Sequence, residues 1–244
     1  MEVKDSVALI TGSSHRVGKQ IALTLSEKGA RVVIHYNSQR EEALDVLNEI
    51  KSAGGRAIAV RGDISRRSDW YRMRERILQK WQRIDILVNN AAIFYRTGFF
   101  EITDREWDEF QNVNLKGTFL GAQIIGEIMV KNKSGKIINI ADVAAATVWS
   151  NYIPYCVSKA GVVALTKGLA KALAPYVTVN AVSPGTVLLA ENYDHNEEQT
   201  LIERTPLKRI GDPTDVAKTV LFLIEGSDFI TGEIINVDGG RSIN

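Results

Sequence analysis

A single cysteine, Cys156, is the only thiol in this 244-residue sequence. That excludes an internal disulfide framework and fits a reducing compartment. Charge of one sign is missing too: 30 basic side chains face 29 acidic ones, a formal net charge of +1. A protein that binds nucleic acid or acidic membranes needs a basic surplus, so neither partner is expected. Arginines do crowd residues 61–83, but acids are interspersed at helical spacing, which reads as a solvated helix face. No apolar run approaches the roughly 18–20 residues of a membrane span. The opening MEVKDSVALITG also lacks the long apolar core of a signal peptide. Repeats, linkers and low-complexity tracts are absent, and no metal is expected. The expectation is a soluble, cytoplasmic protein that acts on a small molecule.

What the sequence does have is alternation. Short apolar runs at 7–11, 31–35, 57–61, 84–89, 136–140, 177–182 and 234–237 read as strands. Amphipathic segments at 17–28, 40–53, 67–81, 104–131, 154–173 and 213–225 read as helices. Continuous apolar strands, each followed by a helix, predict an α/β single-domain Rossmann fold over residues 1–244. Its core would be a doubly wound parallel sheet of about seven strands with helices on both faces. One long irregular insertion begins at Pro184, with residues 184–204 expected to form a substrate loop or lid.

The first strand runs into Thr11-Gly12-Ser13-Ser14-His15-Arg16-Val17-Gly18. Glycines here let backbone N–H groups and a helix N-terminus approach a pyrophosphate, which predicts dinucleotide binding. The second strand ends His35-Tyr36-Asn37-Ser38, with no carboxylate to select a free ribose 2′-hydroxyl. Arg16 supplies a cation able to fork onto a 2′-phosphate, so the expected cofactor is NADP(H), and His35 is either a further donor to it or a partly buried structural histidine.

Tyr155 and Lys159 stand four residues apart and share one face of a helix. An ammonium beside a phenol is expected to lower a pKa normally near ~10, so that Tyr155 can donate a proton as hydride arrives. Thirteen residues before the tyrosine stands Asp142. Asn89-Asn90-Ala91-Ala92 follows the fourth strand, Asn114 falls in a helix, and Ser183-Pro184-Gly185 closes the sixth strand.

Together these motifs make the sequence similar to the short-chain dehydrogenase/reductase family along nearly its whole length, to the closing Val237-Asp238-Gly239-Gly240. The resemblance implies cofactor contacts from Gly12, His15, Arg16, Val17 and Gly18 in the loop, and from His35, Tyr36 and Asn37 after the second strand. It adds Asp63 and Ile64 after the third strand, Asn90 and Ala91 after the fourth, and Tyr155, Lys159, Pro184 and Gly185. Asn114, Tyr155 and Lys159 match the family's proton-relay positions, and a homotetramer is implied.

Three positions depart from the family pattern: Arg16 and Ala92 replace glycines, and Asp142 replaces the catalytic serine. Arg16, Asp142 and His35-Tyr36 resemble the pteridine reductase branch, in which an aromatic such as Phe94 sandwiches a pterin. Chemistry agrees with that likeness. An ionised carboxylate only accepts hydrogen bonds, which suits the N–H groups of a pterin-like or folate-like ring better than a ketone oxygen gathering charge. Asp142, Tyr155 and Phe94 are therefore expected to contact substrate, with reduction at a C=N bond. An NADPH-dependent carbonyl reductase for 3-oxoacyl or sugar substrates is the alternative, and a non-catalytic NADPH sensor or scaffold a third reading. Tyr193 and His195, in the loop at 187–196, are expected to cover the substrate.

Overall fold

The computed structural model describes residues 1–188 and 195–243. Seven parallel strands form one sheet in the order β3-β2-β1-β4-β5-β6-β7. They are β1 Val7–Ile10, β2 Arg31–Tyr36, β3 Arg56–Arg61, β4 Ile86–Asn89, β5 Gly135–Ile140, β6 Val177–Pro184 and β7 Ile234–Val237. Helices α1 (Arg16–Glu27), α2 (Arg40–Ser52) and α9 (Pro213–Glu225) cover one face. Helices α3 (Arg67–Trp81), α5 (Gly117–Lys131) and α7 (Ile153–Leu173) cover the other. The expected single Rossmann-like domain is what forms.

Strand periodicity decides which core each side chain enters. Successive residues of a strand point to opposite faces. Ala8 and Ile10 therefore join Ile21, Val46 and Val220, while Val7 and Leu9 join Trp70, Ile77 and Ile124. Both sets are fully or almost fully buried. Continuous apolar strands are what a sheet covered on both faces requires.

Two segments differ from the sequence expectation. The helix expected at 104–131 divides into α4 (Asp104–Phe110), a π-helical stretch Gln111–Lys116, and α5. Apolar periodicity is insensitive to one widened turn, so the pattern continues while the hydrogen bonding changes. The insertion after β6 contains a helix of its own, α8 (His195–Arg204), after the short α6 (Ala144–Thr147) and α7 earlier in the chain. Tyr193 and the side chain of His195 lie outside the described residues. No described helix is long and apolar enough to cross a membrane.

The strand order reverses at β1, whose neighbours are β2 on one side and β4 on the other. The C-terminal ends of β1 and β4 thus open a crevice at the topological switch point, where open α/β sheets bind ligands.

Candidate active site

A cavity of about 1120 Å³ occupies that crevice. It is large enough for a dinucleotide with a small substrate beside it. Of the described residues expected to meet cofactor or substrate, all line it except Asn114.

The loop after β1 is held in shape by neighbours. Gly12 has φ +62°, and a Cβ there would lie 2.9 Å from the Ala91 Cα. A Cβ on Gly18 would collide with the Gly12 carbonyl and the Asn90 amide. The Asn90 side chain donates to the carbonyls of Thr11 (2.9 Å) and Gly12 (3.0 Å), so its N–H groups brace the loop. The first turn of α1 has no acidic residue and no side-chain cap on its N–H groups. Such a terminus fits a pyrophosphate.

His35 takes the structural role of the two expected for it, and the cofactor-donor role gives way. Its Nδ1 accepts from Gly12 N–H (3.0 Å) and its Nε2 donates to the Gly62 carbonyl (3.0 Å). Burial pushes its pKa down to about 4, so the ring is neutral. Both nitrogens are engaged, and the side chain ties the glycine loop to the end of β3 instead of donating to a cofactor. Asp63, expected to meet the adenine, accepts from Ser65 N–H (2.9 Å) and pairs with Arg66 at 3.3 Å.

Arg16 stands at φ +52°, in the left-handed region where a side chain costs roughly 1–2 kcal/mol. The glycine that the family pattern places here would adopt it freely. Its guanidinium donates to the Leu188 carbonyl at 3.4 Å, at the mouth of the cavity.

At the other end, the Tyr155 hydroxyl donates to Asp142 Oδ2 at 2.7 Å. Asp142 Oδ1 accepts from Ala144 N–H at 2.8 Å, which fixes the carboxyl at the start of the turn after β5. Lys159 Nζ donates to the Ile140 carbonyl (2.8 Å) and lies 5.7 Å from the Tyr155 ring centroid. The electrostatics reverse one expectation. Burial, then the Asp142 charge, hold the Tyr155 pKa well above its ordinary value instead of below it. Burial likewise pushes Asp142 up and brings Lys159 down to about 8. Excluding water penalises every charged form here, and the carboxyl makes phenolate harder still.

Asn114 sits behind the cavity in the π-helical stretch. It accepts from Ile93 N–H (2.8 Å) and donates to the Ile93 carbonyl (3.1 Å) and Ser158 Oγ (3.1 Å). It positions the segment that carries Phe94. Phe94 lines the cavity, stacked on Tyr152 (4.8 Å between centroids, 3° between planes) and edge-on to Tyr155 at 4.8 Å. Trp149, Tyr152 and Arg241 also line it and were not anticipated. The run Trp149-Ser150-Asn151-Tyr152 precedes Tyr155 closely, and Arg241 directly follows the Gly239-Gly240 pair, so proximity to known motifs was the available signal.

A family profile described as enoyl-(acyl carrier protein) reductase matches residues 12–242. The chain belongs to the short-chain dehydrogenase/reductase family. As a member it is an NAD(P)-dependent oxidoreductase. It is 38% identical to the (2S)-[(R)-hydroxy(phenyl)methyl]succinyl-CoA dehydrogenase subunit of Thauera aromatica, across 100% of this chain and 99% of that one. It is 39% identical to a 3-oxoacyl-[acyl-carrier-protein] reductase of Synechocystis sp., across 96% of each. The solved structure of a gluconate 5-dehydrogenase from Burkholderia cenocepacia, in complex with NADP and tartrate, superimposes with a TM-score of 0.93. That likeness holds at 31% identity and covers 100% of this chain and 98% of that one. These relatives carry the names of alcohol and carbonyl chemistry. The pteridine reductase likeness rests on Arg16, Asp142, His35-Tyr36 and Phe94 alone, and His35 has a structural task.

Proposed function

We propose that this protein is an NADPH-dependent carbonyl reductase, of the kind that reduces 3-oxoacyl or related keto substrates. The observation that carries the reading is one buried Asp142–Tyr155–Lys159 group in the same cavity as the glycine loop. The names of the relatives support carbonyl over imine chemistry. Gly12, Gly18 and the α1 N-terminus would hold the pyrophosphate, and Arg16 the 2′-phosphate. NADPH supplies a hydride when bound.

The residues of the chain handle the proton. Tyr155 keeps its proton until negative charge develops on the substrate atom, because its own phenolate is disfavoured. The Lys159 ammonium then offsets the phenolate left behind. Burial raises the Asp142 pKa from its ordinary value against the Ala144 N–H, the Tyr155 hydroxyl and the charges of Lys159 and Arg241, and a carboxyl that holds its proton can donate a hydrogen bond as the family's serine would. Asp142 thereby serves a carbonyl oxygen as long as it stays protonated.

A second reading has one specific observation behind it: both Asp142 oxygens accept hydrogen bonds, from Ala144 N–H and from the Tyr155 hydroxyl. An ionised Asp142 would accept from ring N–H groups, which favours a C=N bond in a pterin or dihydrofolate-like substrate. One substitution separates the two. Under the carbonyl reading, Asp142→Ser retains or raises activity on acetoacetyl thioester, and the wild-type rate falls as rising pH ionises Asp142. Under the C=N reading, the same variant loses about 10²–10⁴ on dihydrobiopterin or dihydrofolate. Initial rates for both proteins on both substrates at saturating NADPH decide it. Wild-type turnover of the dihydropterin alone, abolished by Asp142→Ser, overturns the carbonyl reading. Cytoplasmic location and a homotetrameric state belong to the same proposal, and sedimentation gives the mass that tests the latter.

A further inference from the structure

Arg241 is the one basic side chain of the C-terminal turn, and the turn is built to aim it. Asp238 Oδ1 accepts from Gly240 N–H (2.9 Å) and its Oδ2 from Ser242 N–H (2.7 Å). Gly239 and Gly240 take φ +63° and +87°, which folds the chain tightly ahead of the arginine. The guanidinium donates through Nη1 to Thr186 Oγ1 at 2.6 Å and lies 5.5 Å from the Trp149 ring centroid. It is therefore fixed by a hydrogen bond on one side and an aromatic ring on another.

Among the described residues the guanidinium forms no ion pair. Among the described residues no carboxylate lies within 4.0 Å of Arg241, although Arg241 lines the same cavity as Asp142 and Tyr155. It is close enough to Asp142 to favour that residue's ionised form, but does not pair with it. One hydrogen bond leaves most of the five guanidinium N–H donors available. From Arg241 an aromatic wall leads inward: Trp149 meets Tyr152 at 5.8 Å, Tyr152 stacks on Phe94, and Phe94 meets Tyr155.

We propose that Arg241 is a specificity-determining residue that binds a carboxylate of the substrate, and that the substrate is a keto acid or another carboxylate-bearing molecule. A planar fork matches a carboxylate with two parallel N–H···O bonds. The body of the substrate then lies along Trp149, Tyr152 and Phe94, with its reacting atom at Tyr155. The inference rests on the reading that this cavity is the substrate site of a reductase, but holds equally for C=O or C=N reduction.

The test uses malonate and dimethyl malonate, neither of which is reduced, titrated calorimetrically into the full-length NADPH complex. Wild type is expected to bind malonate at least tenfold more tightly than the diester. Arg241→Met should erase that difference, and Arg241→Lys should restore part of it. Three results overturn the proposal: malonate no tighter than the diester in wild type, a difference that survives in Arg241→Met, or NADPH affinity falling in step with malonate affinity. In the last case the guanidinium serves the cofactor. Failure of the reductase reading is separately visible, as an absence of NADPH oxidation with acetoacetate and its methyl ester while malonate binding still follows Arg241.

Discussion

Arg16 shows how a single residue can carry an assignment. Its φ of +52° is a conformation that favours glycine, yet a long cationic side chain occupies it. Backbone strain of this kind collects at functional positions, where another interaction maintains it. Its position on the loop, with no acid among residues 35–38, suits a 2′-phosphate. Arg16→Gly should therefore separate fold from cofactor choice. Removing the side chain from the left-handed region stabilises the fold by up to about 1 kcal/mol. Losing a charged hydrogen bond weakens NADPH by about 1.5–3 kcal/mol, or one to two decades, and leaves NADH nearly unchanged. Fluorescence titration with both cofactors, beside thermal unfolding, reads the two effects independently. A variant that keeps the full NADPH preference removes Arg16 from the site. Sequence alone identified the substitution but not its conformation, because propensity does not reveal that a loop retains the glycine geometry after the glycine is gone.

At the scale of elements, the π-helical stretch Gln111–Lys116 is what the sequence concealed. An apolar period continues through it, so 104–131 reads as one helix, and Asn114 reads as a helical polar residue near the chemistry. The wider turn instead brings the Asn114 amide onto both backbone groups of Ile93, at 2.8 and 3.1 Å. Asn114 is buried. Truncation to alanine strands both Ile93 groups, while the Ser158 hydroxyl keeps its bond to the Tyr155 carbonyl; each unsatisfied buried group costs about 1–3 kcal/mol. Asn114→Ala is expected to lower the unfolding free energy by about 2–4 kcal/mol and to loosen the segment that carries Phe94. The substrate KM should then rise while NADPH affinity holds, since Asn114 does not line the cavity. Denaturant unfolding and steady-state kinetics check the pair, and a loss of NADPH affinity as large as the KM change contradicts the positioning role. The insertion after β6 was equally opaque in its detail. Its length signalled a functional loop, but the 195–204 segment has a weak apolar pattern among charges, and α8 was not anticipated.

For the whole molecule, the sheet was legible because its central strands β1 and β4 are buried throughout and so read as apolar runs; the less buried β7, Ile234–Val237, also agrees with the sequence reading. Titration of the interior was not legible, since it depends on which groups the fold desolvates. His35 has a folded pKa of about 4 against 6.5 in its ordinary state. The unfolded chain therefore binds more protons between these values, so stability is fully present above about pH 6.5 and is lost as pH falls. Between pH 7 and pH 5 the loss is about 2 kcal/mol, at 1.36 kcal/mol per unit. Asp142 acts with the opposite sign. Its folded pKa is raised, so over any part of that range below it the native state holds the extra proton and acid stabilises the fold. Wild-type stability should fall modestly from pH 7 to pH 5. Asp142→Asn, which removes the opposing titration, should fall by the full His35 amount, never by less than wild type. The window stays above the ordinary carboxylate range, so surface acids such as Asp5 and Asp228, held low by cationic partners, contribute little. Urea unfolding at pH 5, 6 and 7 on both proteins measures the slopes. A flat profile in Asp142→Asn means that His35 is not the neutral buried brace between Gly12 and Gly62. In that case the geometry of the cofactor loop, and not only its titration, has been misread.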